Sequence, residues 1–342
     1  MFRIEKRPSA VIRKRMILLL CLVIVGSLLV ACGSNDGGAS ETSEQQGTLS
    51  TTATASIEEE QVESQIDVLT LKDDLGNEVE IPTAPERVFA PYLEDSLLKL
   101  GVKPVAQWAN GDMGHEYLQE ELKDVLKIDF SGGQPSPEVL MDLNPDLIIL
   151  HTESYAANGG YEKYSKIAPT FVFKNAAGDI EKTLEKVGEL LGKTDEATAA
   201  LQAYEQKVLD AKEKLAISAE GKKVAIIRFA AKGVSLMGGN YLSGHVVNKQ
   251  LGIEMSHLTD NENSYEISTE VLPELGVDYI FVINAYGQGT ERLAEMEKSA
   301  IWQAIPAVKQ GHVYEMDSAY WLGSGLIAYG KIIDDTVKVL TE

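Results

Sequence analysis

From residue 66 onward, short apolar runs alternate with stretches of helical spacing. IDVLTL and EVEIP flank the turn-rich Asp73-Asp74-Leu75-Gly76-Asn77, which predicts a β-hairpin. RVFAPY (87–92), VAQW (105–108), LIIL (147–150) and TFVF (170–173) read as strands, and KVAIIRFA (223–230), SLMG (235–238), DYIFVI (278–283) and HVYEMD (312–317) continue the series. Strands separated by helical segments predict βα units and parallel sheets. Between the two sets, Leu201, Tyr204, Val208 and Leu215 recur at helical spacing. Thr194 is placed to cap this helix, and Asp195 and Glu196 suit its dipole. At ~1.5 Å per residue, 195–216 would extend about 33 Å, the height of a lobe pair. The pattern predicts an α/β lobe over 66–193, a connecting helix over 194–216 and a second α/β lobe over 217–342.

An internal repeat relates the two halves. SPEVLMDLNPDLI (136–148) aligns with STEVLPELGVDYI (268–280) at a constant offset of 132, with seven of 13 positions identical. In each copy a Ser precedes a short helix, Glu138 or Glu270 occupies the first turn, and an Asp introduces a strand. Dipole compensation accounts for either glutamate alone but less well for the pair.

Upstream of residue 66 the pattern differs. Six basic residues (Arg3, Lys6, Arg7, Arg13, Lys14, Arg15) precede the 15-residue apolar run 16–30, as in a signal peptide. The run ends in Leu29-Val30-Ala31-Cys32, which matches a lipobox, so residues 1–31 are expected to be removed and Cys32 to be lipidated at the mature N-terminus. Residues 33–65 contain no aromatic, Lys or Arg and read as a disordered tether reaching roughly 30 Å.

Composition narrows the function. The 342 residues include 52 acidic and 31 basic side chains, a formal charge of −21. Removing 1–31, with six basic groups and Glu5, makes it −26. Such a surface repels nucleic acid. Cys21 lies in the segment to be removed, which excludes thiol catalysis and Cys-ligated metals. The five histidines are scattered without a His-x-x-x-His pair, so no direct metal site is expected. No Gly-x-Ser-x-Gly or phosphate loop supports the different-class alternative, a secreted hydrolase. No catalytic residue is assigned.

The hairpin DDLGNEVEIP, the segments PERVFAPYLEDSLLKLGVKPVAQ and PSPEVLMDLNPDLIIL, and the ending IWQAIPAVKQGHVYEMDSAYWLGSGLIAYGKIIDDTVKVL resemble the class III solute-binding lipoproteins of ABC importers, specifically the ferric siderophore binders. The resemblance covers residues 66–342. It implies two Rossmann-like lobes with parallel sheets joined by one long helix, and a ferric siderophore held between the lobes. It also implies docking to permease subunits with a cytoplasmic ATPase, and a monomer lipid-anchored outside the cell membrane. Iron would enter only within the siderophore, with no other cofactor. Haem or cobalamin is the alternative cargo within this fold, with His151 and His245 as the histidines to inspect for haem.

Open α/β sheets bind ligands at the carboxyl ends of their strands. Those ends carry Tyr92, Trp108, Tyr155 and Tyr286, and the resemblance adds Trp321. Arg228 interrupts the apolar strand Ile226-Ile227-Arg228-Phe229-Ala230 and is one of three arginines after residue 31. It is expected to pair either with an internal acid or with hydroxamate or carboxylate oxygens around the ferric ion. With only Lys232 as a further cation near this strand, a hydroxamate or mixed hydroxamate-carboxylate ligand is favoured over a tris-catecholate. As the resemblance implies, Glu138 and Glu270 are the expected contacts to the permease.

Overall fold

The computed structural model describes residues 67–259 and 263–342. The expected signal peptide, Cys32 and the expected tether lie outside the described residues. The chain opens with an antiparallel hairpin, β1 (Val68–Lys72) and β2 (Glu78–Pro82). Its turn is organised by Asp73, whose carboxylate accepts from the Leu75 and Asn77 amides, 3.0 and 2.8 Å. Val79 and Ile81 alternate inward with the period of a strand.

Five parallel strands follow. β3 (Val88–Phe89), β6 (Leu147–Leu150) and β7 (Thr170–Val172) pair in the order β3-β6-β7. β4 (Gln107–Ala109) pairs with β5 (Lys127–Asp129), and the Val105 amide donates to Val88 O beside β3. In the second lobe β8 (Lys223–Phe229), β12 (Tyr279–Asn284) and β13 (Val313–Met316) run parallel. β10 (Glu254–Met255) adds to β8 in the same sense. β9 (Val234–Met237) and β11 (Ser264–Glu266) run antiparallel, so this sheet is mixed rather than parallel as expected. The reason is local: only residues 230–233 separate β8 from β9, and a parallel return needs a crossover of about a dozen residues.

The repeat has the same job in both lobes. Asp146 accepts from the Glu86 and Arg87 amides, 2.8 and 3.0 Å, and Asp278 accepts from the Lys223 amide, 2.9 Å. Each ties the start of a central strand to the start of its neighbour. The preceding helices end on equivalent left-handed residues, Asn144 (φ 46°) and Gly276 (φ 59°). Pro273, which replaces Met141 of the first copy, leaves the second helix in the tighter 3₁₀ form.

Thr194–Ser218 is one continuous helix of 25 residues. Lys193, not Thr194, takes the cap position, and no side chain caps it. Helix Leu326–Thr341 packs along this long helix and also against helix Glu94–Lys99 of the first lobe. Asp95 completes that junction by accepting from the Ile327 and Ala328 amides, 3.0 and 2.9 Å. Gly325 (φ 135°) permits the approach, because a Cβ there would lie 2.2 Å from the Asp95 carboxyl. A single buried cluster, including Leu97, Tyr204, Val246, Tyr329 and Ile333, runs through both lobes at this junction.

Candidate functional site

Tyr92, Trp108 and Tyr155 come together at the carboxyl ends of β3, β4 and β6. Tyr92 sits third in the turn Ala90-Pro91-Tyr92-Leu93, closed by the Leu93 amide on Ala90 O at 3.1 Å. Its φ is 68°, a conformation that turn position normally gives to glycine. Backbone strain of this kind persists at sites that use the side chain. The Tyr92 ring lies 5.1 Å from Trp108, 6.0 Å from Tyr155 and 4.2 Å from His151. The Tyr155 hydroxyl donates to that of Tyr92 at 3.2 Å, and Phe130 stacks on Tyr155 at 6.1 Å. Burial pushes the Tyr155 hydroxyl pKa well up and takes His151 down to about 4, so His151 is a neutral imidazole.

Three partners in this wall escaped the sequence reading. Phe130 and His115 sit in loops without periodicity, and His115 lies over Trp108 at 4.9 Å. Glu94 reads as an ordinary first-turn acid, yet its side chain is fully buried. Its Oε1 accepts from the Trp108 amide at 2.7 Å, and its Oε2 lies 3.4 Å from His115 Nε2. That Oε2, Trp108 Nε1 and His151 Nδ1 are buried without a hydrogen-bond partner. Native proteins leave few such atoms unpaired, and a ligand is one explanation for a cluster of them.

The second lobe supplies Arg228 and Tyr286. Arg228 lies near the end of β8, between Ser235 and Ile283 of the flanking strands, with Nε buried and unpartnered. Tyr286 also adopts a positive φ, 50°, and its amide donates to Ser318 Oγ at 3.1 Å. The residue is 37% exposed overall, while desolvation raises the pKa of its hydroxyl. The Arg228 charge opposes that rise and Tyr92 reinforces it, which sets the Tyr286 hydroxyl within electrostatic reach of both. A hollow of about 490 Å³ adjoins at the ends of β12 and β13, lined by Asn284, Gly287, Glu315, Met316, Asp317 and Ser318.

Trp321 is placed elsewhere. It is fully buried against Phe281 at 5.1 Å, and its indole N–H donates to Asp335 at 2.8 Å, so in this structure it presents no surface to a ligand. It lies in the short stretch Tyr320-Trp321-Leu322, which carries no period, and only packing shows the indole turned inward. His245 is separated from His151: it lines another groove, of about 280 Å³, with Asp179, Glu181 and Tyr329. Glu138 and Glu270 are exposed in the first turns of their helices, and a hydrogen bond from Ser136 lowers the Glu138 pKa.

Aromatic faces, unpaired donors and one guanidinium suit the holding of a large, partly apolar, oxygen-rich solute. Two α/β lobes on one long helix, with these groups at their strand ends, define the class of bilobal solute-binding proteins. The family described as periplasmic binding protein matches residues 95–320, and the chain belongs to it. Among Bacillus subtilis proteins, it is 32% identical over 260 residues to the iron(3+)-hydroxamate-binding protein FhuD, covering 73% of this chain and 79% of that protein. It is 28% identical over 285 residues to the iron(3+)-hydroxamate-binding protein YxeB, covering 79% and 85%. The crystal structure of Staphylococcus aureus SirA complexed with staphyloferrin B superposes with a TM-score of 0.67 at 26% identity, covering 80% of this chain and 98% of that one.

Proposed function

We propose that this chain is the extracytoplasmic solute-binding component of an ABC importer and captures a ferric siderophore of hydroxamate or mixed hydroxamate-carboxylate type. The observation that carries the ligand class is Arg228. Its buried, unpaired Nε at a strand end needs an acceptor, and the apolar strand around it offers none. Chelate oxygens around a ferric ion meet that need, and the aromatic wall covers the organic part of the ligand. No nucleophile with an adjacent base is called on, because the task is capture and release. Cys32 carries the lipid anchor in this reading, and replacing it with Ala should move the protein from the membrane to the soluble fraction. Persistence in the membrane fraction would refute the anchor.

Tryptophan fluorescence tests the function. Trp302 and Trp321 are buried, so Trp108 is the tryptophan a cleft ligand would quench. Titration with ferric hydroxamates should give saturable one-to-one quenching that Trp108→Phe removes. Binding of haem or cobalamin in preference to every ferric siderophore would overturn the reading.

A further inference from the structure

Two consecutive acids at the start of helix Glu94–Lys99 are buried, and they serve different places. Glu94 belongs to the aromatic wall, through the Trp108 amide and His115. Asp95 belongs to the lobe junction, through the Ile327 and Ala328 amides at the start of helix Leu326–Thr341. One short segment meets both acids. His115 Nε2 lies 3.4 Å from Glu94, and two residues on the Tyr117 hydroxyl donates to Asp95 at 3.1 Å. Two rungs side by side thus tie the wall to the junction. We propose that Tyr117 is a positioning residue that couples ligand capture at the aromatic wall to the seating of helix Leu326–Thr341. The inference rests on the siderophore reading for its ligand and adds how binding is felt at the lobe junction.

Tyr117 reaches that helix by two routes. The first is its hydrogen bond to Asp95, whose oxygens also accept the first amides of the helix. Burial, reinforced by the Asp95 charge, holds the Tyr117 pKa well above its usual value, so the hydroxyl stays a donor. The second route crosses between lobes. Helix Ser318–Trp321, which follows β13, packs on the turn Glu116–Leu118 of the first lobe, and the Tyr117 and Tyr320 rings meet edge to face at 6.4 Å. The Tyr320 hydroxyl and the Trp321 indole N–H both donate to Asp335, further along helix Leu326–Thr341, at 2.8 Å. Trp321, turned away from the ligand, helps to fix the receiving end. On the wall side, the His115 ring stands edge to face with Tyr117 at 6.0 Å and lies against Trp108 at 4.9 Å. Trp108 and His115 are partly exposed, so a solute settling on them moves rings that bear directly on Tyr117. Packed side chains pass on such a shift because they switch between discrete arrangements rather than deforming continuously.

Hydrogen exchange at the Ile327 and Ala328 amides reads the coupling in the full chain, with helix Thr194–Ser218 as internal control. A saturating ferric trihydroxamate should slow both amides about fivefold beyond any slowing in the control helix. Tyr117→Phe keeps the ring contacts and deletes the tie to Asp95. It should bind the chelate within about twofold of the wild type, since Tyr117 lies behind the wall, and lose the extra protection. A purely structural Tyr117 would instead raise exchange equally with and without chelate. Extra protection that survives Tyr117→Phe overturns the proposal, as does its absence in the wild type with chelate bound. If Tyr117→Phe fails to fold, His115→Gln breaks the chain one step earlier and should abolish the same protection. If no chelate binds, the siderophore reading falls, and the coupling is judged on ligand-free His115→Gln. That variant should exchange Ile327 and Ala328 faster without change in the control helix, and unchanged exchange there overturns the coupling.

Discussion

Arg228, near the end of β8, has a buried guanidinium nitrogen that no hydrogen-bond acceptor satisfies among the described residues. In the siderophore reading, removing it deletes a charged hydrogen bond to the ligand without leaving an internal acid unpaired. Arg228→Ala should therefore weaken ferric hydroxamate binding by about 2 kcal/mol, or about thirtyfold, with little change in thermal stability. Isothermal titration alongside a melting curve checks both, and an unchanged Kd with an intact fold would make the residue structural. The tyrosines need a different argument. Tyr92 and Tyr286 each stand at positive φ just beyond a strand, where glycine would be relaxed. Their identity as aromatics was legible in the sequence, but their strain was not, because φ is set by the turn each must close. Trp321 marks the opposite limit. Its residue type suited a ligand wall, yet the Asp335 acceptor and the Phe281 ring hold it in the core.

The helices packed at the lobe junction share one buried carboxylate. Asp95 accepts two amides at the start of helix Leu326–Thr341 and a hydroxyl from Tyr117 at 3.1 Å. Desolvation outweighs these bonds and raises its pKa from 3.8 to about 6. The native state thus holds this proton more tightly than the unfolded chain does, so the group's contribution to stability is lost as pH rises from about 4 through about 6. By linkage the loss approaches about 3 kcal/mol at neutral pH. Asp95→Asn cannot ionise and should gain on the wild type by about that amount between pH 4 and pH 7. Urea denaturation at both pH values measures the difference, and a pH-independent difference would remove Asp95 from the account. Element identity came through well at this scale. The apolar runs marked ten strands to within a few residues, and the helical spacing marked Thr194–Ser218. The three that were missed, β5, β10 and β11, are two or three residues long with exposed positions, too short to carry a period.

For the molecule as a whole, the repeat places equivalent acids on both lobes. Glu138 and Glu270 are exposed, each in the first turn of a helix that leads into a central strand. Neither belongs to the aromatic wall or to the Arg228 side of the cleft. If they contact a two-subunit permease, Glu138→Ala with Glu270→Ala should leave siderophore affinity within about twofold. Cellular uptake should fall by roughly tenfold or more, because interfacial charges set register and encounter rate. Single variants should be milder than the double. Normal uptake by the double variant at wild-type abundance would return both glutamates to helix-dipole compensation. The sequence by itself determined the two-lobe plan, the long helix, the repeat and Arg228, since each is written in local periodicity, offset or a charge interrupting an apolar run. Tertiary structure alone decided the antiparallel turn of β9, the burial of Trp321, the latch at Asp95 and the place of Glu94 beneath Trp108 and His115. Those depend on which residues distant in the chain become neighbours, and a carboxylate in a first helical turn reads the same whether its far side meets water or a closed wall of rings.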